Sequence, residues 1–319
     1  MKCLCCGKSI SKPNELEWHK ACIKRFFGTT VLPKIEIDDK TLNIVAKEAT
    51  SLGFTVPGVQ KKLSLQFVSD SKKPRLTLVN YPTGYILKPQ VEEYELLPES
   101  EQLVMTMADV AGIATVPHAL IKCGKDIAYI TKRIDRISLN KKIESLAMED
   151  FCQLDLRLTE DKYKGSYERC AKIIKKYSSR YGIDIVEFYI RLVFCFIIGN
   201  SDMHLKNFSL IEITPGSNKY VLSPAYDLLP VNALMPSDKE EVALALNGKK
   251  KNITKNDFLK LADVCEISRS TAIKLINHLI KFTPQWLDMC DNSLLNEKLK
   301  ERVKKIIYKR IEILKWTSM

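Results

Sequence analysis

The chain has 319 residues, of which 45% are hydrophobic and 28% are charged, ordinary values for a globular protein. A chain of this length can bury a substantial core without disulfides, either as one large two-lobed domain or as two domains. The longest apolar run, residues 192–198, is far too short to span a membrane, and the net charge of +12 permits acidic partners or nucleic acid without selecting any of them.

The N terminus does not have the pattern of a secretory signal peptide, because MKCLCCGK contains two lysines and three cysteines. The sequence therefore predicts a cytoplasmic protein without membrane association, in which thiols stay reduced. In that compartment clustered cysteines indicate metal binding, whereas scattered cysteines indicate small buried side chains. The scattered cysteines, which we predict to lie in the core, are Cys123, Cys152, Cys170, Cys195, Cys265 and Cys290.

Residues 1–28 contain two pairs of potential metal ligands, separated by twelve residues. The ligands are Cys3, Cys6, His19 and Cys22. Two residues lie between the members of each pair, which is the spacing of a tetrahedral Zn²⁺ site with three thiolates and one imidazole. Cys5 could replace Cys3 as a ligand. We predict a structural zinc unit here, with a reduced cluster that binds no metal as the alternative.

Residues 29–140 carry strand signals and are predicted to form a β-rich N-lobe. The segments KLSLQFV, RLTLVN, YILKP and DIAYITKRI alternate or are rich in β-branched and aromatic residues, and proline or glycine residues separate them. One helix interrupts this pattern, in ESEQLVMTMADVAGI, where apolar residues recur on one face.

Residues 141–319 are predicted to form an all-α C-lobe. Ser145 can cap a helix whose first turns contain Glu149 and Asp150. The segment IVEFYIRLVFCFII is apolar nearly all round and ends at Gly199, as expected of a helix in the centre of a lobe. The C-terminal segment SLLNEKLKERVKKIIYKRIEILKW is amphipathic. The whole pattern predicts an α+β, two-lobed fold with the small Cys/His zinc unit in front.

Polar residues follow the predicted buried helix directly, in the apolar segment IIGNSDMHLKNFSLI. Asp202 and Asn207 stand five positions apart, the spacing of the base and the Mg²⁺-binding asparagine in a protein-kinase catalytic loop. Two strand-like pieces, FSLIEI and KYVLS, then flank the turn TPGSN. A hairpin there would return Asp227 to the side of Asn207. The result would be two oxygen ligands for Mg²⁺ and a base, as phosphoryl transfer requires.

The N-lobe segments offer groups that could hold phosphates. Gly58, in VPGVQKKLSL, lets the backbone approach an anion. Lys88 stands at the end of a strand, as a phosphate-pairing lysine should, and Glu101 on the following helix could hold that lysine in place. Each residue alone also fits an ordinary loop, strand end or helix cap. Their order along the chain is what favours phosphoryl transfer.

Six segments together resemble the HipA-like Ser/Thr kinase toxins of bacterial toxin–antitoxin systems. These are GVQKKLSL, YILKP, YITKRIDR, AMEDFCQL, IIGNSDMHLKNFSLI and SPAYDLLP. The resemblance is to the C-terminal kinase part of that family, in the HipT-like form that lacks the N-terminal subdomain. It implies an ATP- and Mg²⁺-dependent protein kinase that phosphorylates a translation-related protein, such as an aminoacyl-tRNA synthetase. It also implies an antitoxin partner with a helix-turn-helix domain, so that contact with DNA is only indirect.

The resemblance assigns roles to the matching residues. Asp202 becomes the catalytic base, Asn207 and Asp227 become the Mg²⁺ ligands, and Lys88 becomes the lysine on the ATP phosphates. The residues implied for the phosphate loop are Gly58, Val59, Gln60, Lys61 and Lys62. Those implied for nucleotide contacts are His204 and, in the hinge against adenine, Lys132 and Ile134.

Two positions depart from the family pattern. The hinge reads Lys-Arg-Ile, where a well-known member has an acidic and an aromatic residue. Pro57 precedes the loop glycine, where many relatives have serine. Some members switch themselves off by phosphorylating a serine of this loop, and here Thr55, Ser64 or Ser51 would have to take that role.

The resemblance also predicts a further component. Well-known members carry a small β-rich subdomain ahead of the phosphate loop, for which the 57 residues before Gly58 leave no room. We therefore expect a separate small protein that replaces this subdomain and docks on the N-lobe.

Two other functions stay open. One is a catalytically silent HipA-like protein that acts by binding its antitoxin and DNA, and the other is a zinc-dependent nucleic-acid binder, whose binding would be salt-sensitive.

Overall fold

The computed structural model describes residues 1–10, 17–35, 62–68, 75–78, 84–139 and 142–315. The chain divides into two compact units. The first unit consists of Met1–Gln102 and Val116–Arg136, and the second of Leu103–Thr115 and Ile137–Met319. A β-sheet dominates the first unit and helices dominate the second, which confirms the α+β class predicted from the sequence.

A six-stranded sheet forms the body of the first unit. Its strands are β1 (Lys34–Ile35), β2 (Leu63–Val68), β3 (Arg75–Leu78), β4 (Tyr85–Lys88), β5 (His118–Cys123) and β6 (Asp126–Lys132). Their order is β1-β3-β2-β4-β6-β5, with β1 and β3 parallel and every other pair antiparallel. Strands β2, β3, β4 and β6 confirm the prediction. The prediction lacked β5, because HALIKC is almost continuously apolar and has no strand-like alternation.

The N-terminal residues cover the outer edge of this sheet. Lys2 pairs with Ser9 in a short knuckle. The backbone carbonyl of Leu4 accepts a hydrogen bond from the N–H of Leu120 in β5 at 2.9 Å, and the indole N–H of Trp18 donates to the Leu120 carbonyl at 3.0 Å. An edge strand otherwise offers its backbone groups to other chains, so the knuckle and Trp18 protect β5.

Helix α1 (Lys20–Phe27) shares one hydrophobic core with the sheet. Its residues Phe26 and Phe27 are buried, and their rings lie 4.8 Å apart in an edge-to-face arrangement. Both rings also contact Tyr85 of β4. The helix ends at Gly28, whose left-handed φ of 73° suits glycine. The N-terminal Cys/His segment is therefore part of the packing of the first unit.

The second unit contains short strands and most of the helices. Its strands are β7 (Arg136–Leu139), β8 (Lys142–Ser145), β9 (Met148–Asp150), β10 (Ser209–Glu212) and β11 (Tyr220–Leu222). The helices, numbered after the connecting helix α2 (Leu97–Val110), are α3 (Phe151–Leu154), α4 (Tyr167–Tyr177), α5 (Tyr181–Ile198), α6 (Val231–Leu234), α7 (Lys255–Val264), α8 (Arg269–Ile280), α9 (Thr283–Asp291) and α10 (Glu297–Lys315). Strands β7 and β8 pair with each other, and β9, β10 and β11 form a three-stranded sheet.

The predicted helix cap at Ser145 is wrong. Strand β8 ends at that residue, and the following residues form β9, which pairs with β10. The helix begins only at Phe151. There the Asp150 carboxylate accepts from the backbone N–H of Gln153 at 2.9 Å, and the Gln153 side chain accepts from the backbone N–H of Asp150 at 3.0 Å. The acidic residues that suggest a first helical turn instead form a strand and a capping box.

Helix α5 is the predicted buried helix, with twelve of its residues buried. It ends before Gly199, whose φ of 74° is left-handed, as predicted from the glycine. A Cβ atom at this position would lie 2.8 Å from the Cγ2 atom of Ile306 in α10. Helix α10 confirms the predicted amphipathic helix, with Leu299, Val303, Ile307 and Ile311 among its buried residues.

The predicted burial of the scattered cysteines is confirmed. All six scattered cysteines are buried thiols. Within the described ranges, no helix combines the length and apolarity needed to cross a membrane.

Candidate active site

A buried ion pair joins the end of β4 to α2. The Lys88 ammonium lies 2.5 Å from Oε1 of Glu101, and the two side chains are 3% and 0% exposed. The ammonium also lies 5.2 Å from the centre of the Tyr129 ring on β6. Burial of two charges is unfavourable unless they neutralise each other, so this contact fixes both side chains. The pairing of Lys88 with Glu101 predicted from the sequence is confirmed.

Gln102, the neighbour of Glu101, attaches the same helix to its surroundings. Its side-chain oxygen lies 2.9 Å from Nδ1 of His118 on β5. Its side-chain amide donates to the backbone carbonyl of Cys5 in the N-terminal knuckle at 3.3 Å. The residue adjacent to the ion pair is thus tied both to the sheet and to the Cys/His segment.

The predicted hinge begins at Lys132, the last residue of β6. Lys132 is exposed, and its backbone N–H donates to the carbonyl of Pro117 at 2.9 Å. Ile134 is half-buried. The guanidinium of Arg133, which lies between these two residues, donates hydrogen bonds to the carboxylate of Asp135 at 2.6 and 2.9 Å. Backbone bonds and a local ion pair therefore hold the hinge segment.

The predicted phosphate loop lies mostly outside the described residues. This applies to Gly58, Val59, Gln60 and Lys61, and also to Thr55 and Ser51. Lys62 is described; it is exposed and directly precedes β2. Ser64 lies on β2 with a half-buried side chain, opposite Ile86 of β4.

The predicted catalytic loop is a tight turn held by its own hydrogen bonds. Asp202 is half-buried, and its backbone N–H donates to the side-chain oxygen of Asn200 at 3.1 Å. The Asp202 carbonyl accepts from the backbone N–H of His204 at 2.8 Å and from the side-chain amide of Asn207 at 2.7 Å. The five-residue spacing therefore closes a loop in which Asp202 and Asn207 are directly bonded.

The bond from Asn207 also orients its side chain. Because the amide nitrogen donates to the loop carbonyl, the amide oxygen is directed away from that carbonyl and remains an acceptor. Asn207 is buried, so its orientation is restricted by packing as well. A neutral oxygen in a fixed position is a suitable ligand for a hard cation such as Mg²⁺.

The hairpin predicted after this loop is present. Strands β10 and β11 pair antiparallel. Beyond them the Tyr226 hydroxyl lies 2.5 Å from the Ser209 hydroxyl and donates to the Lys206 carbonyl at 3.1 Å. The residue before Asp227 is thus bonded to the catalytic loop. Asp227 itself is half-buried and has a left-handed φ of 56°, a strained conformation of the kind that clusters at functional sites.

One residue beside the predicted base was not found from the sequence. The Tyr163 hydroxyl donates to Oδ1 of Asp202 at 2.6 Å. Its ring packs edge-on against the buried His204, with centroids 5.0 Å apart, and the Lys162 ammonium lies 4.9 Å from the ring centre. Burial, together with the negative charge of Asp202, raises the pKa of Tyr163 well above its usual range. No local pattern marks this tyrosine, which precedes Asp202 by 39 residues.

A second contact that the sequence did not predict supports the predicted catalytic loop. Lys206 forms a salt bridge with Asp150 at 2.6 Å, and both side chains are largely shielded from solvent. Asp150 also caps α3, so the carboxylate joins this helix to the catalytic loop. Such supporting contacts keep a polar site in a fixed geometry.

The four predicted metal ligands form one cluster in the first unit. The ligand atoms of Cys3, Cys6, His19 and Cys22 all lie within 4.8 Å of one another. Nδ1 of His19 faces the thiols of Cys6 and Cys22 at 3.4 and 4.0 Å. Cys5 is not in the cluster; its thiol lies 4.0 Å from the guanidinium of Arg25. The geometry therefore favours Cys3 over Cys5 as the fourth ligand.

The contact of the second ring nitrogen of His19 indicates which tautomer of the ring is present. Nε2 lies 3.1 Å from the carbonyl oxygen of Ser9, which can only accept, so Nε2 carries the proton. In a neutral imidazole Nδ1 is then the deprotonated nitrogen, directed at the thiols. This arrangement of a ligand nitrogen and a backbone carbonyl is usual for histidines that bind metal. The donor set fits Zn²⁺.

Comparison with known protein families gives a single assignment. A family model for the HipA-like C-terminal domain matches residues 54–287. A Sinorhizobium fredii protein that bears the name "Putative kinase Y4dM" is 32% identical over 265 residues, which cover 76% of this chain and 61% of the relative. A Haemophilus influenzae protein that bears the name "Putative kinase" is 28% identical over 203 residues, covering 59% of this chain and 56% of the relative. The chain thus spans little more than half the length of these relatives.

Solved structures share the fold at low sequence identity. HipA of the Shewanella oneidensis toxin–antitoxin system, determined with HipB and operator DNA, matches with a TM-score of 0.66 and 21% identity, covering 82% of this chain and 64% of that one. The proinflammatory kinase CtkA of Helicobacter pylori matches with a TM-score of 0.53 and 15% identity, covering 79% of this chain and 94% of that one. These matches confirm the kinase-like fold.

Proposed function

Because the chain belongs to the family of HipA-like C-terminal domains, we propose that it is a protein kinase that transfers the γ-phosphoryl group of ATP to a serine or threonine hydroxyl. MgATP supplies the phosphoryl group when bound. The protein's own contribution is to position the reacting groups and to neutralise charge, which dominates catalysis of phosphoryl transfer.

The observation that carries this proposal is the buried Lys88–Glu101 pair. A fully buried lysine is rare unless its charge is paired, since desolvation of the ammonium is unfavourable. Kinases use this pair to direct an ammonium at the nucleotide phosphates. Lys88 would hold the phosphates, together with the loop from Gly58 to Lys62. The hinge residues Lys132 and Ile134 would contact adenine.

The catalytic loop supplies the remaining groups. Asp202 would orient the acceptor hydroxyl and take its proton as the new bond to phosphorus forms. Asn207 and Asp227 would hold Mg²⁺ through an amide and a carboxylate oxygen. His204, a buried residue of the same loop, would lie beside the nucleotide. The salt bridge of Lys206 supports the rigidity that these roles require.

We also propose that Cys3, Cys6, His19 and Cys22 bind one structural Zn²⁺. The clustering of their ligand atoms within 4.8 Å and the orientation of the His19 ring support this assignment. Because the same segment covers β5 and contacts Gln102, the ion would stabilise the sheet that carries Lys88.

In the cell, we propose, the protein acts as the toxin of a toxin–antitoxin system. The HipA to which it is similar in fold was solved with HipB and operator DNA, which supports an antitoxin with a DNA-binding domain as the partner. The acceptor would be a translation-related protein, such as an aminoacyl-tRNA synthetase, as the family resemblance implies. Purification of tagged Asp202→Ala protein from its host would recover the antitoxin, together with any separate small protein.

Phosphoproteomics after induction tests the function directly. Cells that express the wild-type chain should gain phosphoserine or phosphothreonine on a small set of proteins and should stop growing. Cells that express Asp202→Ala at the same level should show neither effect. Growth arrest by Asp202→Ala, or an unchanged phosphoproteome under wild type, would contradict the proposal.

A further inference from the structure

The hydrogen bond between Tyr163 and Asp202 has the geometry that the hydroxyl of a phosphoryl acceptor would need. A group that serves as a base needs the reacting hydroxyl within about 2.6–3.2 Å, and the Tyr163 hydroxyl donates to Oδ1 of Asp202 at 2.6 Å. We infer that the Tyr163 hydroxyl occupies a position at Asp202 that the incoming hydroxyl would use, and that it competes with this hydroxyl and slows transfer until it leaves the carboxylate. This inference rests on the proposed role of Asp202.

The chemistry explains why the two hydroxyls compete for Asp202. During transfer the acceptor oxygen forms a bond to the γ-phosphorus, the bond from that phosphorus to the oxygen of the departing ADP breaks, and the acceptor proton passes to Asp202. While Tyr163 donates to Oδ1, it takes up one acceptor site of that oxygen and lowers the basicity of the carboxylate. Tyr163 therefore slows the transfer of the acceptor proton.

Comparison with a neighbouring tyrosine indicates that this contact is displaceable. The Tyr167 hydroxyl also bonds to the loop, donating to the Met203 carbonyl at 3.1 Å, but Tyr167 is 2% exposed and fixed in the core. Tyr163 is 40% exposed. Its ring contacts the Lys162 ammonium and packs perpendicular to the His204 ring. Rotation of Tyr163 into solvent breaks few contacts, whereas rotation of Tyr167 would open the core.

The protonation of Tyr163 is consistent with this role. Partial burial of Tyr163 and the adjacent Asp202 charge raise its pKa, so the phenol stays protonated at all ordinary pH values. A protonated phenol donates to the carboxylate as a serine or threonine hydroxyl would. A phenolate would instead be repelled by it.

The test is the rate of ADP release by the purified full chain with MgATP and no protein substrate, where water is the acceptor. Tyr163→Phe removes only the competing hydroxyl. It should raise kcat for ADP release about 10-fold, the factor associated with one hydrogen bond to a charged group, and leave the KM for ATP unchanged. The matched control is Tyr177→Phe. Tyr177 is 38% exposed and has the Lys176 ammonium 4.7 Å from its ring, and its substitution should leave both constants unchanged.

Several outcomes would overturn the inference. An unchanged or lower kcat in Tyr163→Phe would show that the hydroxyl does not compete. Phosphate on Tyr163 after incubation with ATP would make the residue an acceptor instead of a competitor. Asp202→Asn separates this failure from failure of the proposed function. If Asp202→Asn releases ADP at the wild-type rate, Asp202 is not the base. If it is inactive while Tyr163→Phe behaves as wild type, only the competitor role is lost.

Discussion

The Lys88–Glu101 pair offers a test in which stability and activity respond differently. In Glu101→Gln the Lys88 side chain stays buried but loses the carboxylate oxygen that lies 2.5 Å from its ammonium. Removal of one partner from a buried pair typically costs about 3–5 kcal/mol of unfolding free energy. The amide still offers an oxygen at the same place, so the lower end, about 3 kcal/mol, is expected. For a unit of this size that lowers the Tm by on the order of 10 °C.

The double variant Lys88→Met/Glu101→Leu should recover most of that stability. Two apolar side chains of similar volume fill the same space and leave no charge to desolvate, so the two substitutions are not additive. The double variant should nevertheless be inactive, because it lacks the ammonium for the phosphates. A loss of at least about 100-fold in phosphotransfer is expected for removal of such a group.

Thermal unfolding followed by circular dichroism measures the stability part, and labelled-phosphate transfer measures the activity part. Glu266→Gln is the control. It removes the partner of Lys175 in a salt bridge whose side chains are 56% and 55% exposed, so it should leave the Tm unchanged within error. A Glu101→Gln protein that is as stable and as active as wild type would refute the reasoning. A double variant that retains activity would refute the role of Lys88.

The remaining predictions concern the metal, a glycine and an aspartate. The purified chain should contain one equivalent of zinc by elemental analysis. Cys6→Ser should lose the metal and lower the Tm, because the cluster shares its core with the sheet. A Cys6→Ser protein that lacks zinc but keeps the wild-type Tm would contradict this prediction. Gly199→Ala should destabilise the fold by about 1–2 kcal/mol from its left-handed φ, with more from the 2.8 Å approach to Ile306, as urea unfolding would measure. Asp227→Asn should fold normally, since asparagine tolerates the φ of 56°, but should need more Mg²⁺ for half-maximal activity; an unchanged Mg²⁺ titration would exclude Asp227 as a ligand.

The parts of the site that the sequence predicted are those encoded over short distances. Asp202 and Asn207 form one loop, and Lys88 and Glu101 are 13 residues apart on a strand end and the next helix. The clustering of Cys3, Cys6, His19 and Cys22 could be predicted because their spacing reflects coordination chemistry more than fold. In each case a local pattern limits where the side chains can lie.

The parts that the sequence did not predict depend on distant segments meeting. Tyr163 reaches Asp202 across 39 residues, and Lys206 reaches Asp150 across 56. The misplaced helix start at Ser145 has the same origin, because β9 exists only through its pairing with β10. Helix propensity and capping patterns contain no information about that partner.

The most direct test of the central claim is transfer of labelled γ-phosphate from MgATP to protein in a host-cell extract. The wild-type chain should label serine or threonine residues, and Asp202→Ala should reduce the initial rate by at least about 100-fold. Asp263→Asn, which alters an exposed aspartate paired with Arg269, should transfer at the wild-type rate. Equal transfer by wild type and Asp202→Ala, or no Mg²⁺-dependent transfer by wild type, would contradict the account.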